Sequence, residues 1–139
     1  MLSYRLTHPP LLEALGRAGH GSLVLLADSN YAFSTGASPT AERVYLNLRP
    51  GLLTVDQVLE VLLDAIPVEA AAFMVGPDGE DSAAITGYLP ALEGIPLERL
   101  QREPFRAALR GPDLAVLVAT GDTRYYANVL LTIGAMPGT

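Results

Sequence analysis

Two rhythms of apolar residues alternate along the chain. After Pro9-Pro10, Leu11, Leu12 and Leu15 recur at helical spacing, so LLEALGRAG is predicted as a helix. Proline is tolerated in its first turn and Gly19 supplies a left-handed stop. SLVLLADSN is a short, continuous apolar run that suits a buried strand, and its first polar residue, Asp28, falls at the carboxyl end. SNYAFSTGASPT is turn-rich and predicts a surface loop, and Val44–Leu48 alternates like a half-buried strand. Thr54 and Gln57 form a capping box for the helix VDQVLEVLLDAI, whose apolar positions Val55, Val58, Leu59, Leu62 and Ile66 share one face. EAAAFMVG predicts a strand and PDGED a turn.

Ser82–Leu92 predicts a helix weakened by Gly87, and PLERLQ fits strand or helix equally. Pro104 predicts a first helical position, opening the short helix FRAALRG with Gly111 as its stop. DLAVLVATG is a second buried strand; the apolar run in RYYANVLLTIGAMP suits either state. Strands alternating with helices predict a single α/β domain over residues 1–139, with a central mixed or parallel sheet flanked by helices.

Composition narrows the function more than the fold. Half the residues are hydrophobic and 17% are charged, which is a globular balance. The formal net charge is −6 and there is no lysine, so no basic stripe exists for nucleic acid and a neutral ligand is easiest to accept. Cysteine is absent, which removes disulfides, thiolate metal sites and thiol catalysis. MLSYRLTHPP lacks the apolar core of a secretory signal, and no apolar run approaches the ~20 residues that span a bilayer. A cytoplasmic protein without a membrane partner is expected.

Few residues can then carry chemistry. His8 precedes the two prolines and reads as a surface residue. His20 follows Gly19 at a helix-to-strand junction, a tight loop where backbone approaches a ligand. Asp28 ends an apolar strand, and ligands of open α/β sheets gather beyond the carboxyl ends of strands. These two residues flank one strand, and eight residues of extended chain span up to ~27 Å. They can share a pocket only if one of them faces a neighbouring subunit. Two distant histidines without cysteine give no zinc site. PDGED is half a calcium loop, and neither Walker spacing nor a serine nucleophile elbow occurs. Acid/base work or plain binding remains, with no metal and no cofactor.

GHGSLVLLADSN, together with RYYANVLLTIGAMP at the other end, resembles the ribose pyranase and fucose mutarotase family. LLEALGRAGH, REPFRAAL and VLVATG extend the likeness over nearly the whole chain. The resemblance implies an α/β subunit that assembles into a homo-oligomeric ring, a pentamer or decamer, with active sites between subunits. It implies that the family's proton-donating histidine falls on His20 and its sugar-binding aspartate on Asp28. The basic residue before the FRAAL aromatic falls on Arg102, and the terminal motif on Tyr126, Ala127 and Asn128. The chain departs from the family at Ser22, where an acid is usual, and in SNYAFSTG, which lacks the usual proline. Arg102 is similar to the fucose branch, whereas Tyr126-Ala127-Asn128 is similar to the ribose branch.

The implied activity is an isomerase that opens the hemiacetal ring of a reducing monosaccharide and lets it close again. Opening needs a proton given to the ring oxygen and another taken from the anomeric hydroxyl. An imidazole, with its unperturbed pKa of ~6.5, serves both directions at neutral pH. In this scheme His20 donates, Asp28 and Arg102 hold sugar oxygens, and Tyr126 or a water relays the second proton. A phenol with its usual pKa of ~10 is a poor base, which keeps water an equal candidate. Tyr125 is expected to be a packing residue. The alternatives are a monosaccharide-binding or transport-associated protein without turnover, a purely structural ring, and an aldose isomerase.

Overall fold

The computed structural model describes residues 1–139. The chain folds into one six-stranded mixed sheet with helices on both faces. The first helix, α1 (Pro9–Arg17), is capped by His8, whose Nδ1 accepts from Leu11 N at 3.3 Å. It does not stop on Gly19 as expected. It ends on Ala18 in an extended conformation, and the left-handed residue is Gly21 (φ 85°). Ser22 N donates to Gly19 O at 3.0 Å, so Gly19–Ser22 is a β-turn with His20 and Gly21 at its centre. The third residue of such a turn needs positive φ, which is why it is glycine.

Strand β1 (Leu23–Ala27) follows as predicted and leaves Asp28 at its end. β2 (Glu42–Tyr45) lies two residues earlier than the alternation in Val44–Leu48 suggests. It pairs with β5 (Leu114–Ala119), and because that partner ends at Ala119, opposite Tyr45, the ladder stops there. Helix α2 (Val55–Ala65) starts at Thr54, whose N–H donates to Gln57 Oε1 at 2.9 Å. β3 (Val68–Met74) and β4 (Leu97–Leu100) are parallel neighbours, so PLERLQ is a strand, at the sheet's edge. Between them α3 (Ala83–Tyr88) tightens into a 3₁₀ turn over Leu89–Leu92, where Pro90 lacks the N–H that an α-helix needs.

Helix α4 (Arg102–Arg110) begins two residues before Pro104, which therefore occupies the third helical position and not the first. First-turn N–H groups have no intrahelical acceptor, so proline is harmless anywhere in that turn. The undecided terminal run becomes β6 (Val129–Ile133), antiparallel to both β1 and β3.

Strand order is β2-β5-β1-β6-β3-β4, with β6 alone running opposite to the other five. Five strands thus finish, and β6 starts, along one edge of the sheet. On one face α1, α2 and α3 cover the larger core, which includes Leu11, Leu59, Ile85, Val24 and Phe73. On the other face Phe105 and Leu109 of α4 join Tyr31 and Ala37 of the 28–41 loop over Leu25 and Leu117.

Candidate functional site

The finishing edge of the sheet gathers the polar residues that the apolar strands exclude. Asp28 follows β1 and Asn128 precedes β6, and the two strands are hydrogen-bonded neighbours. Asp28 N donates to Asn128 Oδ1 at 2.8 Å, which leaves the amide NH2 of Asn128 as a donor for a ligand. Asp28 is only 3% exposed. Its Oδ1 accepts from Asn30 N at 3.1 Å and its Oδ2 from Ala127 N at 3.2 Å. Burial raises its pKa above the usual carboxylate value, opposed by the N–H groups of Ala127 and Asn30 and reinforced by the charge of Asp122.

A cavity of about 200 Å³ opens on these groups, lined by Asp28, Asn128, Tyr126, Arg102, Arg106 and Tyr31, with Asn30, Met74 and Tyr125 at its margins. Sites for drug-sized ligands run to ~300–1,000 Å³, so this cavity has the scale of a single sugar ring. Arg102 and Arg106 stand one turn apart on α4 and reach it together.

Tyr126 is held in an uncommon conformation, with φ 52°, the one residue other than glycine with positive φ. Three bonds fix its segment. Ser82 Oγ donates to Tyr126 O at 2.8 Å, Tyr88 OH donates to Ala127 O at 3.0 Å, and Ala127 N reaches Asp28 as above. Such strain persists where surrounding structure over-determines it, and it concentrates at functional sites. Ala127 itself is fully buried and serves through its backbone. Tyr125, expected to be a packing residue, stands 79% exposed on the single chain, beside the cavity.

The 28–41 loop, which forms one cavity wall, is organised around Arg43. That guanidinium donates to the carbonyls of Phe33, Ser38, Ala41 and Ala37 at 3.1, 2.6, 2.9 and 3.3 Å. Four bonds from one planar donor hold a loop that carries no proline until Pro39.

His20 lies at the other end of the sheet. Its turn is tied to the end of β6, where Gly21 N donates to Ile133 O at 2.8 Å and Ile133 N to Ser22 O at 2.9 Å. Seven residues lie between it and Asp28, and the five of β1 alone span ~17 Å of strand. Its side chain is 59% exposed, and its Nε2 stands 3.0 Å from Glu69 Oε2. The structure therefore brings Asp28, Arg102, Tyr126, Ala127 and Asn128 together and leaves His20 on the surface, outside that cavity.

The residues unnoticed in the sequence are Arg106, Tyr31 and Glu69. Arg106 has a legible signal, an i+4 spacing from Arg102. Tyr31 and Glu69 depend on how a loop and a strand fold.

Comparison with known proteins bears on the family and the fold. A model of the RbsD / FucU transport protein family matches residues 1–136. A D-ribose pyranase of Paracidovorax citrulli is 31% identical over 129 residues, covering 93% of this chain and 94% of that one. Bacillus subtilis RbsD complexed with D-ribose superposes with a TM-score of 0.85 at 21% identity, over 99% of this chain and 100% of the other. The fucose mutarotase of Streptococcus pneumoniae in complex with L-fucose gives 0.79 at 28% identity, over 94% of each chain.

Proposed function

Because the chain belongs to the RbsD / FucU family, we propose that it is a cofactor-independent mutarotase interconverting the ring forms of a reducing monosaccharide. The observation that carries this reading is Asp28. It is a buried carboxylate held only by N–H donors of the backbone, and it faces a cavity of single-sugar size. A carboxylate so placed accepts from sugar hydroxyls, while Asn128, Arg102 and Arg106 offer donors to sugar oxygens. The mixture of acceptor and donors suits a polyhydroxylated, uncharged ring. The sugar is of the ribose or fucose kind, as in the relatives' names.

The chemistry requires one proton to reach the ring oxygen as the bond from that oxygen to the anomeric carbon breaks. The anomeric hydroxyl loses a proton to water or to Tyr126, leaving an open-chain aldehyde. Rotation of the carbonyl and reversal of both transfers close the ring on the other face. His20 supplies and recovers the ring-oxygen proton. Since it stands a strand's length from Asp28 of its own chain, the donor reaching each cavity is the partner subunit's His20. The working form is then a homo-oligomeric ring with shared sites, without nucleic acid or membrane partners and active in the cytoplasm. No helix is long and apolar enough to cross a membrane.

Saturation-transfer NMR on D-ribose and L-fucose tests the reading. The protein should raise anomer exchange well above the buffer rate, and His20→Ala should return it to that rate with the fold intact. Unchanged exchange in His20→Ala removes His20 from the mechanism. One observation, Ser22 in place of an acid, favours the second reading of a monosaccharide-binding protein without turnover. That reading predicts sugar-induced shifts in the protein spectrum with exchange left at the buffer rate.

A further inference from the structure

An imidazole that moves protons needs a partner to fix its ring and its tautomer, because the bond made by one nitrogen decides what the other can do. Ser22, two residues on, is not that partner. Its Oγ accepts from Gly19 N at 3.2 Å and is committed to closing the turn. The partner present comes from 49 residues along the chain, with His20 Nε2 and Glu69 Oε2 3.0 Å apart.

Glu69 reaches this place through an irregularity in the sheet. Val68 pairs with Ile133 and Ala70 with Thr132, so two steps along β3 oppose one step along β6, and Glu69 is the extra residue. A β-bulge of this kind re-aims a side chain, and bulges concentrate beside active sites. The backbone around it is close-fitting. A Cβ on Gly134 would stand 3.2 Å from Glu69 Cβ, and Gly134 N donates to Pro67 O at 2.8 Å. The same β6 terminus anchors the His20 turn through Ile133. The bulge and the turn are therefore held by one short segment.

Folding alone does not account for the pair. Both side chains are about half exposed, at 59% and 47%, and exposed ion pairs add little to stability. We propose that Glu69 is the positioning residue for His20, supplying from β3 the carboxylate that position 22 lacks. A carboxylate only accepts, so Nε2 carries a hydrogen and donates it to Glu69. In the imidazolium, Nδ1 is then the nitrogen that gives its proton to the sugar's ring oxygen, and the neutral Nε2–H ring takes it back on closure.

This inference rests on the mutarotase reading, and the two can fail separately. The test compares wild type, Glu69→Gln and His20→Ala by exchange NMR with L-fucose and D-ribose, and measures 15N shifts of the His20 ring above its titration. Glu69→Gln should lower kcat about tenfold, in the range for loss of a residue that orients a reactive group, with KM unchanged. Wild type should show the Nε2–H tautomer, and Glu69→Gln a mixture. A kcat within twofold of wild type overturns the inference, as does a fall in kcat with no change of tautomer, which would make Glu69 merely structural. An active His20→Ala sinks the mutarotase mechanism itself. An inactive His20→Ala beside a fully active Glu69→Gln sinks only the pairing.

Discussion

Two buried aspartates sit at the same edge of the sheet and are treated in opposite ways. Asp122, just beyond β5, is satisfied on every side. Its Oδ1 accepts from Arg124 N and Arg124 Nε at 3.1 and 3.0 Å, and its Oδ2 from Val55 N and an Arg124 terminal nitrogen at 2.9 and 2.6 Å. That network caps the first residue of α2, extends through Arg124 to Asp56, and lays the guanidinium 5.6 Å from the centre of the Tyr88 ring. Burial raises the pKa of Asp122, but the hydrogen bonds from Arg124 and Val55 outweigh it and the net shift is downward. Asp28 has no cation bonded to it and keeps a raised pKa. A carboxylate that serves the fold is saturated with donors. One that serves a ligand is left partly unpaired and carries that penalty until the ligand arrives.

Substitutions should separate the two. Asp122→Ala removes the partner of a guanidinium and the acceptor at a helix start, and its side chain is 1% exposed. It should destabilise the fold by about 3 kcal/mol in urea denaturation, the scale of a broken buried pair. Asp28→Asn keeps one acceptor oxygen for the two backbone N–H groups of Asn30 and Ala127 and loses no cation, so it should cost less, about 1 kcal/mol in urea at neutral pH. It should weaken D-ribose or L-fucose binding by about 2 kcal/mol, roughly 30-fold in an NMR titration, the scale of a hydrogen bond to a charged group. A large stability loss in Asp28→Asn would erase the distinction.

Acid titration sharpens the contrast, because the signs are opposite. The lowered pKa of Asp122 gives stability that is present above the usual value of 3.8 and lost as pH falls through its folded value. The raised pKa of Asp28 favours the fold below 3.8, and that contribution is lost as pH rises through its folded value. The stability of Asp28→Asn relative to wild type should therefore rise as pH climbs from 3.8 through that folded value and level off above it. Thermal melts across pH 3 to 7 measure it. The smallest effect is expected from Arg106→Ala, half-buried at the cavity. It should lose about 1 kcal/mol of sugar affinity, roughly fivefold, with no change in melting temperature.

Much of this was legible in the sequence, and where it was not, the reason is physical. β1 and β5 announce themselves as unbroken apolar runs and α2 as a capped helix with one apolar face, and the two end motifs were enough to identify the family. β6 did not, since an apolar run so near the chain's end, with no helix start or turn signal to frame it, fits a buried helix or strand alike. β4 is a four-residue edge strand too short to show a period. Asp28, Arg102, Tyr126, Ala127 and Asn128 were named from motif and strand end, and the structure gathers them. Arg43 and Glu69 were not, because a guanidinium collecting four loop carbonyls and a bulge turning one carboxylate exist only once distant segments have met. α4 opens at Arg102, two residues before Pro104, because the whole first turn admits proline and not its first position alone.

β6 follows Asn128, which lines the cavity, and ends at Ile133, which grips the turn that carries His20. In the proposed assembly one strand thus acts as a measuring rod between what each copy would offer its neighbour and what it keeps for itself. Any assembly that mates the two must repeat with a spacing cut to that rod. If sites are shared in this way, lengthening or shortening β6 by one pair of residues would leave every side chain of the proposed mechanism present and every site out of reach.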